Sequence, residues 1–544
     1  MKPNRPFPAT LAAGLCFLLS AGTLNAQDIL WEKSYGGKHS EYLFDAQPTP
    51  DYGFILAGSS LSEKTGNKTE AAAGDLDYWV WKMDEKGELD WQKSFGGSGA
   101  DLLQAIRLTN DGGFILAGTS DSQKGFHKKD SCRGKEDFWI IKLNAKGGEQ
   151  WQRTIGGSGQ EQLQSISQTS DGGYILGGSS SSQLSKPAKT GRIDSFGKSE
   201  NSFGNLDYWV VKLDSEGEVE WQKTFGGQYA DQLRSIEQTK DGGYILGGYS
   251  NSPESGNKTE QNYGIGDYWV IKLDNTGAIE WQRVYGGNGD DQLYVVHQTQ
   301  DGNYVLAGNS DSGNTGNKSA SNQNGTDFWV LKIDPKGSIL WQKTYNIGQF
   351  DILTSLTENK DGSLLLGGHA KSEVVGMKKA DKEQIDDYIV IKTNKDGEEQ
   401  WTQSVGSKGE DILKKAIEVR DGGYLLAGTS KGPVSRDRYT GKGSNDFWIV
   451  RLKDKDKKKE KKSPIEAFPN PTLHYTNVIV GYEFQKGTAT VFDLSGRQLQ
   501  QFEITNRTVP VDLGGLPEGI YIVEIRTNVQ NDAIKIVKSI SKNQ

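Results

Sequence analysis

Cysteine is nearly absent from this 544-residue chain, with Cys16 and Cys132 the only two. Residues 1–26 read as a leader that is removed, so Cys132 is expected to stand alone, with no intramolecular disulfide. Histidine is equally scarce: His39, His127, His297, His369 and His474 occupy no common repeat position. HExxH, CxxC, GxSxG and phosphate-loop patterns are missing, which leaves zinc and thiol catalysis without support. Proline numbers 14, and glycine at 69 is far below one third, so collagen is excluded. Basic charge is short as well: the formal net charge is −8, and more acidic still once Lys2 and Arg5 leave with the leader. An acidic surface argues against nucleic acid as a partner. The apolar class of 34% looks low, but glycine brings it to about 47%, an ordinary globular value.

Lys2 and Arg5 give the leader a positive start, and Leu11 to Leu24 is an uncharged, largely apolar run. Asn25–Ala26 is a small-residue exit that places Gln27 as the mature N-terminus of a secretory signal peptide. The run is too short to span a bilayer, and nothing later approaches ~20 apolar residues. Leu15, not a small residue, precedes Cys16, which argues against a lipoprotein anchor.

What the chain does have is a repeat. Related units start at Trp31, Trp91, Trp151, Trp221, Trp281, Trp341 and Trp401, sixty residues apart except for one step of seventy. Each Trp is followed at fixed distances by an Asp (Asp51, Asp111, Asp171 and their equivalents) and a Gly (Gly58, Gly118, Gly178). A unit holds four strand-like segments, in the second unit LLQAIRLT, FILAGTS, DFWIIKLN and EQWQRTI. Turn sequences such as Asn110–Gly113 separate them, and no 3.6-residue period appears. More than half of the glycines fall at four places in this unit, so their abundance is turn chemistry. Seven four-stranded units around an axis predict an all-β fold, a seven-bladed β-propeller over residues 27–452. The period exceeds the 40–45 residues of WD40 repeats, and the excess lies in the connection between second and third strands. The longest of these is Gln183 to Leu206.

The segment KLDSEGEVEWQ (Lys212 to Gln222) resembles the strand–turn–Trp signature of quinoprotein-type propellers. The resemblance implies that the Trp strand is outermost in each blade and that Trp31 completes the last one, with residues 411–452. The whole unit resembles the Trp-Gly-Gly, Asp-Gly-Gly repeats of secreted bacterial propellers, which implies a fold and no activity. Strictly periodic Trp at the unit starts and in the third strands (Trp79, Trp139, Trp209, Trp269, Trp329, Trp448) fits a blade-to-blade core rather than sugar stacking. The sixth unit departs from the rest, with Asn346–Ile347 for Gly-Gly and Tyr388–Ile389 for the aromatic–Trp pair.

Residues 453–463 are a charged linker without apolar residues. Residues 464–544 form short alternating strands of an Ig-like β-sandwich. FPNPT (with Pro469, Asn470, Pro471), DLSGR (Asp493, Gly496, Arg497), LPEGIYIVEI (Gly519, Tyr521) and KIVKS (Lys535, Lys538) resemble the type A sorting domain of the type IX secretion system. That resemblance implies export across both membranes, with the secretion machinery and a surface sortase as partners. It also implies removal of the domain, followed by release or attachment to surface lipopolysaccharide.

Strand alternation puts all long connections, and the Gly-Gly pairs, on one face, where function is expected. Two residue sets there are candidates for ligand binding. Asn67, Asn257 and Asn317 begin repeated Asn-Lys-Thr/Ser sequences, which also suit a shared turn or a glycan sequon. Glu41, Asp101, Glu161, Asp231, Asp291, Asp351 and Asp411 form a ring of carboxylates. Hard oxygen ligands of this type suit Ca²⁺; the other reading is acceptance of hydrogen bonds from the Gly-Gly N–H groups. No cofactor and no metal ligand set is assigned beyond that calcium option. The expectation is a monomeric, secreted or cell-surface binding or adhesion module for a glycan or protein. The alternative is a glycoside hydrolase or lyase with its site on the same face.

Overall fold

The computed structural model describes residues 27–185, 195–320, 322, 325–371, 386–420, 422–455, 463–468, 470–472 and 475–539. The leader, Pro469, and parts of the third and sixth long connections (186–194 and 372–385) lie outside them.

Every named element is a β-strand, and residues 28–453 form seven four-stranded antiparallel sheets. In the second unit the strands are Asp101–Leu108, Phe114–Ser120, Asp137–Leu143 and Glu149–Ile155, bonded in chain order. Its first turn closes where Gly112 takes φ +78° and donates its N–H to Thr109 O at 2.8 Å. Side chains resist that left-handed conformation, and glycine does not. Asp111 then accepts from Gly113 N–H at 3.0 Å and from Lys142 Nζ at 2.7 Å, tying the turn to the third strand.

Burial follows the order of strands. The second and third strands are buried along their whole length. The first alternates buried and half-buried positions, and the fourth is exposed towards its start. The first strands touch one another in sequence, and Glu410–Glu418 of the seventh sheet touches Glu41–Pro48 of the first. The sheets therefore close on themselves, with first strands inside and Trp strands at the rim. Closure ties the two ends of the ring together by strand pairing: Asp28–Tyr35, with Trp31, is the rim strand of the sheet built from Glu410–Glu418, Tyr424–Lys431 and Asn445–Lys453. The resemblance of the strand–turn–Trp segment implies this pairing.

Neighbouring sheets pack through aromatic pairs. Tyr78 meets Trp139, Phe138 meets Trp209 and Tyr208 meets Trp269, with ring centroids 4.8, 4.8 and 4.9 Å apart. Each of these Trp residues is fully buried. Removing roughly 200 Å² of such a side chain from water contributes at most about 5 kcal/mol. Trp139 Nε1 donates to Gln152 Oε1 at 3.1 Å, so the indole is satisfied from the rim strand.

The tail has two sheets around one core. Ile465–Phe468, Tyr475–Val480 and Thr508–Asp512 form the first. Gly487–Asp493, Gln498–Ile504, Gly519–Thr527 and Asn531–Lys538 form the second. Val478, Val491, Val509, Val523 and Ile536 fill the space between them. This unit sits against the short-turn side of the ring: Thr508 Oγ1 donates to Asp51 at 2.7 Å and Tyr52 OH to Glu466 at 3.0 Å. The long connections emerge on the opposite side.

Candidate functional site

The ring carboxylates are where the inner strands begin, and all seven are fully buried. Gly97 N–H donates to Asp101 at 2.8 Å, Gly227 N–H to Asp231 at 2.7 Å and Gly287 N–H to Asp291 at 2.8 Å. Glu41 and Glu161 take the equivalent bonds from Gly37 and Gly157. In the departing units, Ile347 N–H serves Asp351 and Ser407 N–H serves Asp411. Serine hydroxyls complete the set, as where Ser122 Oγ donates to Asp101 at 2.9 Å. Burial raises the carboxyls of Glu41, Asp101, Asp231 and Asp291 above their ordinary range, and those of Asp351 and Asp411 to about 6. Their bonds all fix the approach to the first strand.

The three asparagines pin the long connections to the preceding rim strand. Asn257 Oδ1 accepts from Gly226 N–H at 2.8 Å while its Nδ2 donates to Thr224 O at 2.9 Å. Asn317 does the same with Gly286 and Val284, at 2.9 Å for both. Asn67 reaches Gly36 N–H at 3.4 Å. The lysine that follows is the residue sequence reasoning missed. Lys68, Lys128, Lys198, Lys258 and Lys318 are all at most 2% exposed. Lys68 Nζ donates to Ser62 O at 2.6 Å and Lys318 Nζ to Ser312 O at 2.6 Å. Lys128 and Lys198 each reach a threonine hydroxyl of the rim strand at 3.1 Å. Several also lie over a buried indole, Lys128 at 4.7 Å from the Trp139 ring. Burial lowers these ammonium pKa values, to about 8 for Lys198. The signal was present as a Lys at one offset in unit after unit, but a lysine in a polar loop reads as solvated.

The outer face of the long connections carries the chemistry that does not repeat. Phe126, Phe203, Tyr229, Tyr263, Phe350 and Tyr439 are the large exposed aromatics of the described residues 28–453, and all six stand on this face. Phe203, Tyr229 and Tyr263, with Ile265, fall on adjacent units, exposed at 50, 46, 51 and 68%. The Phe203 ring lies against Gly256 of the next unit and Tyr263 against Gly316 of the one after. Inside the ring the first strands differ too. Lys414 lies over Phe44 and Arg234 over Tyr294. The Lys414 pKa is lowered by burial and by the charge of Arg234, from a non-neighbouring sheet. His297 sits between Glu237 and Glu358, at 3.1 and 3.7 Å. Burial opposes its charge, but the two carboxylates hold its pKa at about 9.

The sixth unit's departures are accommodated in packing. Asn346 Nδ2 donates to Asp327 Oδ1 at 2.8 Å, and Ile389 is fully buried in the place of a Trp. A cleft of about 410 Å³ opens there, lined by Asp327, Tyr345, Asn346, Ile347, Glu399 and Thr402 among others. Among the described residues, no group of three or more His, Cys, Asp or Glu side chains is arranged to hold a metal ion.

In the tail the motif residues hold strand ends. Asn470 brackets the last strand, donating to Lys535 O at 2.8 Å and accepting from Val537 N–H at 2.9 Å. Pro471 follows it, before Thr472 pairs with the same strand. Asp493 accepts from Ser495 and Arg497 N–H, both at 3.0 Å, around Gly496 at φ +83°. Gly519 opens the strand in which Tyr521 OH donates to Pro517 O. Lys538 is buried and donates to Leu513 O at 2.6 Å, whereas Lys535 is exposed.

Residues 466–539 match the family model described as the secretion system C-terminal sorting domain. The match supports export by the type IX secretion system, to the cell surface or beyond, and engagement of its machinery. No curated protein matches the chain. Solved structures with a similar course include Sqt1 from Chaetomium thermophilum, at 11% identity and TM-score 0.39, covering 79% of this chain and 99% of that one. The Neurospora crassa Pan2 WD40 domain is similar at 11% identity and TM-score 0.30, over 66% and 91%. A DUF4221 family member from Bacteroides vulgatus is similar at 8% identity and TM-score 0.31, over 79% and 98%. Likeness this distant transfers no activity.

Proposed function

We propose that residues 27–452 are a seven-bladed β-propeller that binds a glycan or a protein outside the cell through its long-connection face. In the same reading residues 1–26 are a cleaved signal peptide, 453–463 a linker, and 464–544 an Ig-like sandwich that serves export and meets the surface sortase. One observation carries the binding role: the six exposed aromatics of the sheet ring all stand on one face. Aromatic rings offer large contact area at small entropic cost and suit both sugar faces and protein partners. The densest part, around Phe203, Tyr229, Tyr263 and Ile265, falls on two of the seven units: Phe203 and Tyr263 share one offset that is filled elsewhere by Ala73, Arg133 and Lys442, as in a site grafted on a symmetric scaffold. The tail contacts the other side and leaves this face open. A glycoside hydrolase or lyase would need two accessible carboxylates about 5–9 Å apart. The ring acids are fully buried, which counts against them in that role.

The test is a Phe203→Ala, Tyr229→Ala, Tyr263→Ala triple variant assayed against a glycan array and surface-protein panel. At one to two kcal/mol per anchor, binding is expected to fall by roughly 10²-fold or more. Unchanged binding would overturn the site. Turnover of a glycan without retention would overturn the binding role.

A further inference from the structure

The inner strands surround a central channel, and most charges along it are answered. Arg107 pairs with Asp45 at 2.5 Å. Lys415 meets the charge of Asp45, which supports its own, and that of Arg107. His297 sits between Glu237 and Glu358. Counted from the ring carboxylate of each strand, all of these stand at the fifth position or beyond, towards the short-turn side.

The fourth position differs. It is half-buried in all seven inner strands, so water reaches this layer. It holds Lys414 and Arg234, with Phe44, Gln104, Gln164, Tyr294 and Thr354 in the other five places. A chain with 71 acidic residues against 63 basic ones thus puts two cations and no acid here. Lys414 belongs to the seventh sheet and Arg234 to the fourth, nearly opposite each other around the ring. Each is backed by a ring of the next sheet in the same layer: Lys414 Nζ is 5.7 Å from the Phe44 centroid and Arg234 Cζ 5.5 Å from that of Tyr294. Such contacts place a cation without bringing a negative charge. Arg234 Nη2 donates to the neutral Gln232 Oε1 at 2.9 Å. Thr354 Oγ1 donates to Leu413 O at 2.7 Å, which fixes the strand that carries Lys414. Among the described residues neither cation makes an ion pair.

The uncompensated field is felt nearby. Burial and then the Arg234 charge lower the Lys414 pKa. Burial and then the Lys414 charge hold His369 at about 4, and His369 Nδ1 is buried without a hydrogen-bond partner. Gln104 and Gln164 stand on adjacent sheets between Phe44 and Arg234. Among the described residues neither of their side-chain amides has a hydrogen-bond partner, so both are free to donate. The layer is open to approach. At about 3.4 Å per residue, three residues put it about 10 Å below the ring carboxylates, inside the mouth on the long-connection side. The second positions, between mouth and layer, hold no charged residue. The tail contacts the other side.

We propose that the channel binds a compact oxyanion of about two negative charges, of the phosphate or sulfate class, between Lys414 and Arg234. Two facing cations are neutralised together by a dianion, whereas one carboxylate would leave a positive charge over. Charge-assisted bonds from the ammonium and guanidinium, with the Gln104 and Gln164 amides as neutral donors, suit an acceptor with several equivalent oxygens. The site uses none of the outer aromatics, so its failure and theirs are separable.

The test uses the full chain after its leader, at pH 7 and an ionic strength held constant with NaCl. A phosphate group carries about −1.5 to −2 there. Calorimetric titration with inorganic phosphate to 10 mM is expected to saturate at one equivalent, and sulfate to compete for it. Acetate should bind at least roughly 10-fold more weakly. Lys414→Gln and Arg234→Gln should each weaken phosphate at least roughly 10-fold, and the double variant should show no saturable binding. Lys408→Gln, at an exposed lysine by the mouth, should stay within about twofold. Each single variant relieves the repulsion between two like charges, so its Tm without phosphate should not fall. Should the double variant not fold, the single variants decide. Glucose 6-phosphate separates the sources: tighter binding than phosphate assigns the site to an ester end, weaker binding to the free ion. No saturable binding at 10 mM, acetate as tight as phosphate, or phosphate affinity unchanged in Lys414→Gln and Arg234→Gln overturns the proposal.

Discussion

Lys258→Met tests whether a buried ammonium holds each long connection in place. Lys258 is 1% exposed beneath the connection between Tyr244–Ser250 and Asp267–Leu273. Its Nζ donates to Ser252 O at 2.9 Å, Glu260 O at 2.5 Å and Asn262 Oδ1 at 2.9 Å. It also lies 6.0 Å from the Trp269 ring centroid. Methionine keeps the length of the stem and deletes the charge. Three acceptors then lose a charged donor, each bond of that type contributing about 1.5–3 kcal/mol. Asp231 and Asp267 lose their nearby positive charge as well. Relaxation and entering water recover part of this, so the expected cost is about 3–5 kcal/mol, the range for removing one member of a buried charge cluster. Urea denaturation measures the global part. Amide hydrogen exchange over residues 251–266 measures the local part, where opening should become roughly 10²–10³ times more frequent. Lys64→Met, at an exposed lysine in the first long connection, is the control and should stay within about 0.5 kcal/mol. A loss below 1 kcal/mol for Lys258→Met, with exchange unchanged, would refute the latch.

Three further outcomes are expected. Trp269→Ala should cost about 3–5 kcal/mol by urea denaturation, and Trp281→Ala, at a half-buried rim position, less than half as much. Gly226→Ala forces a Cβ to within 2.1 Å of Asp207 Oδ1 and should cost about 1–3 kcal/mol in the same assay. Asp207 and Asp267, at about 6 and about 7, hold protons in the folded state that the unfolded chain releases near pH 4. Their contribution to stability therefore falls as pH rises from about 4 to about 7. Melts from pH 5 to 8 should show a smaller decline in the Asp207→Asn, Asp267→Asn double variant than in wild type, and an equal decline would count against the assignment.

How much could be read from residues alone follows from what periodicity does. A repeat averages over its copies, so it displays what each unit needs and suppresses what only one unit has. The four strands, the turn at Asp111–Gly113 and the buried third-strand Trp are common needs, and all were legible; the rim place of Trp31 came from the resemblance of the strand–turn–Trp segment. The buried lysines are common too, yet they passed unnoticed because their burial depends on the indole beneath, Trp139 under Lys128 or Trp269 under Lys258, which the linear order does not bring near. Pairing of Asp267 with Asp291 is likewise a contact between sheets, legible only once the ring brings the end of one connection beside the next inner strand. The aromatic patch was hidden for the opposite reason. Phe203, Tyr229 and Tyr263 occupy positions that vary from unit to unit, and scanning for recurrence discards such positions. The sixth unit shows why departure from the repeat is not in itself a mark of function. Asn346 replaces a glycine and supplies, with its own amide, a hydrogen bond to Asp327 that the glycine of the other units cannot make. A departure whose new side chain is consumed by the scaffold is repair. One whose side chain keeps a large apolar face in solvent, at 50% exposure for Phe203 and 51% for Tyr263, is where a ligand should be sought.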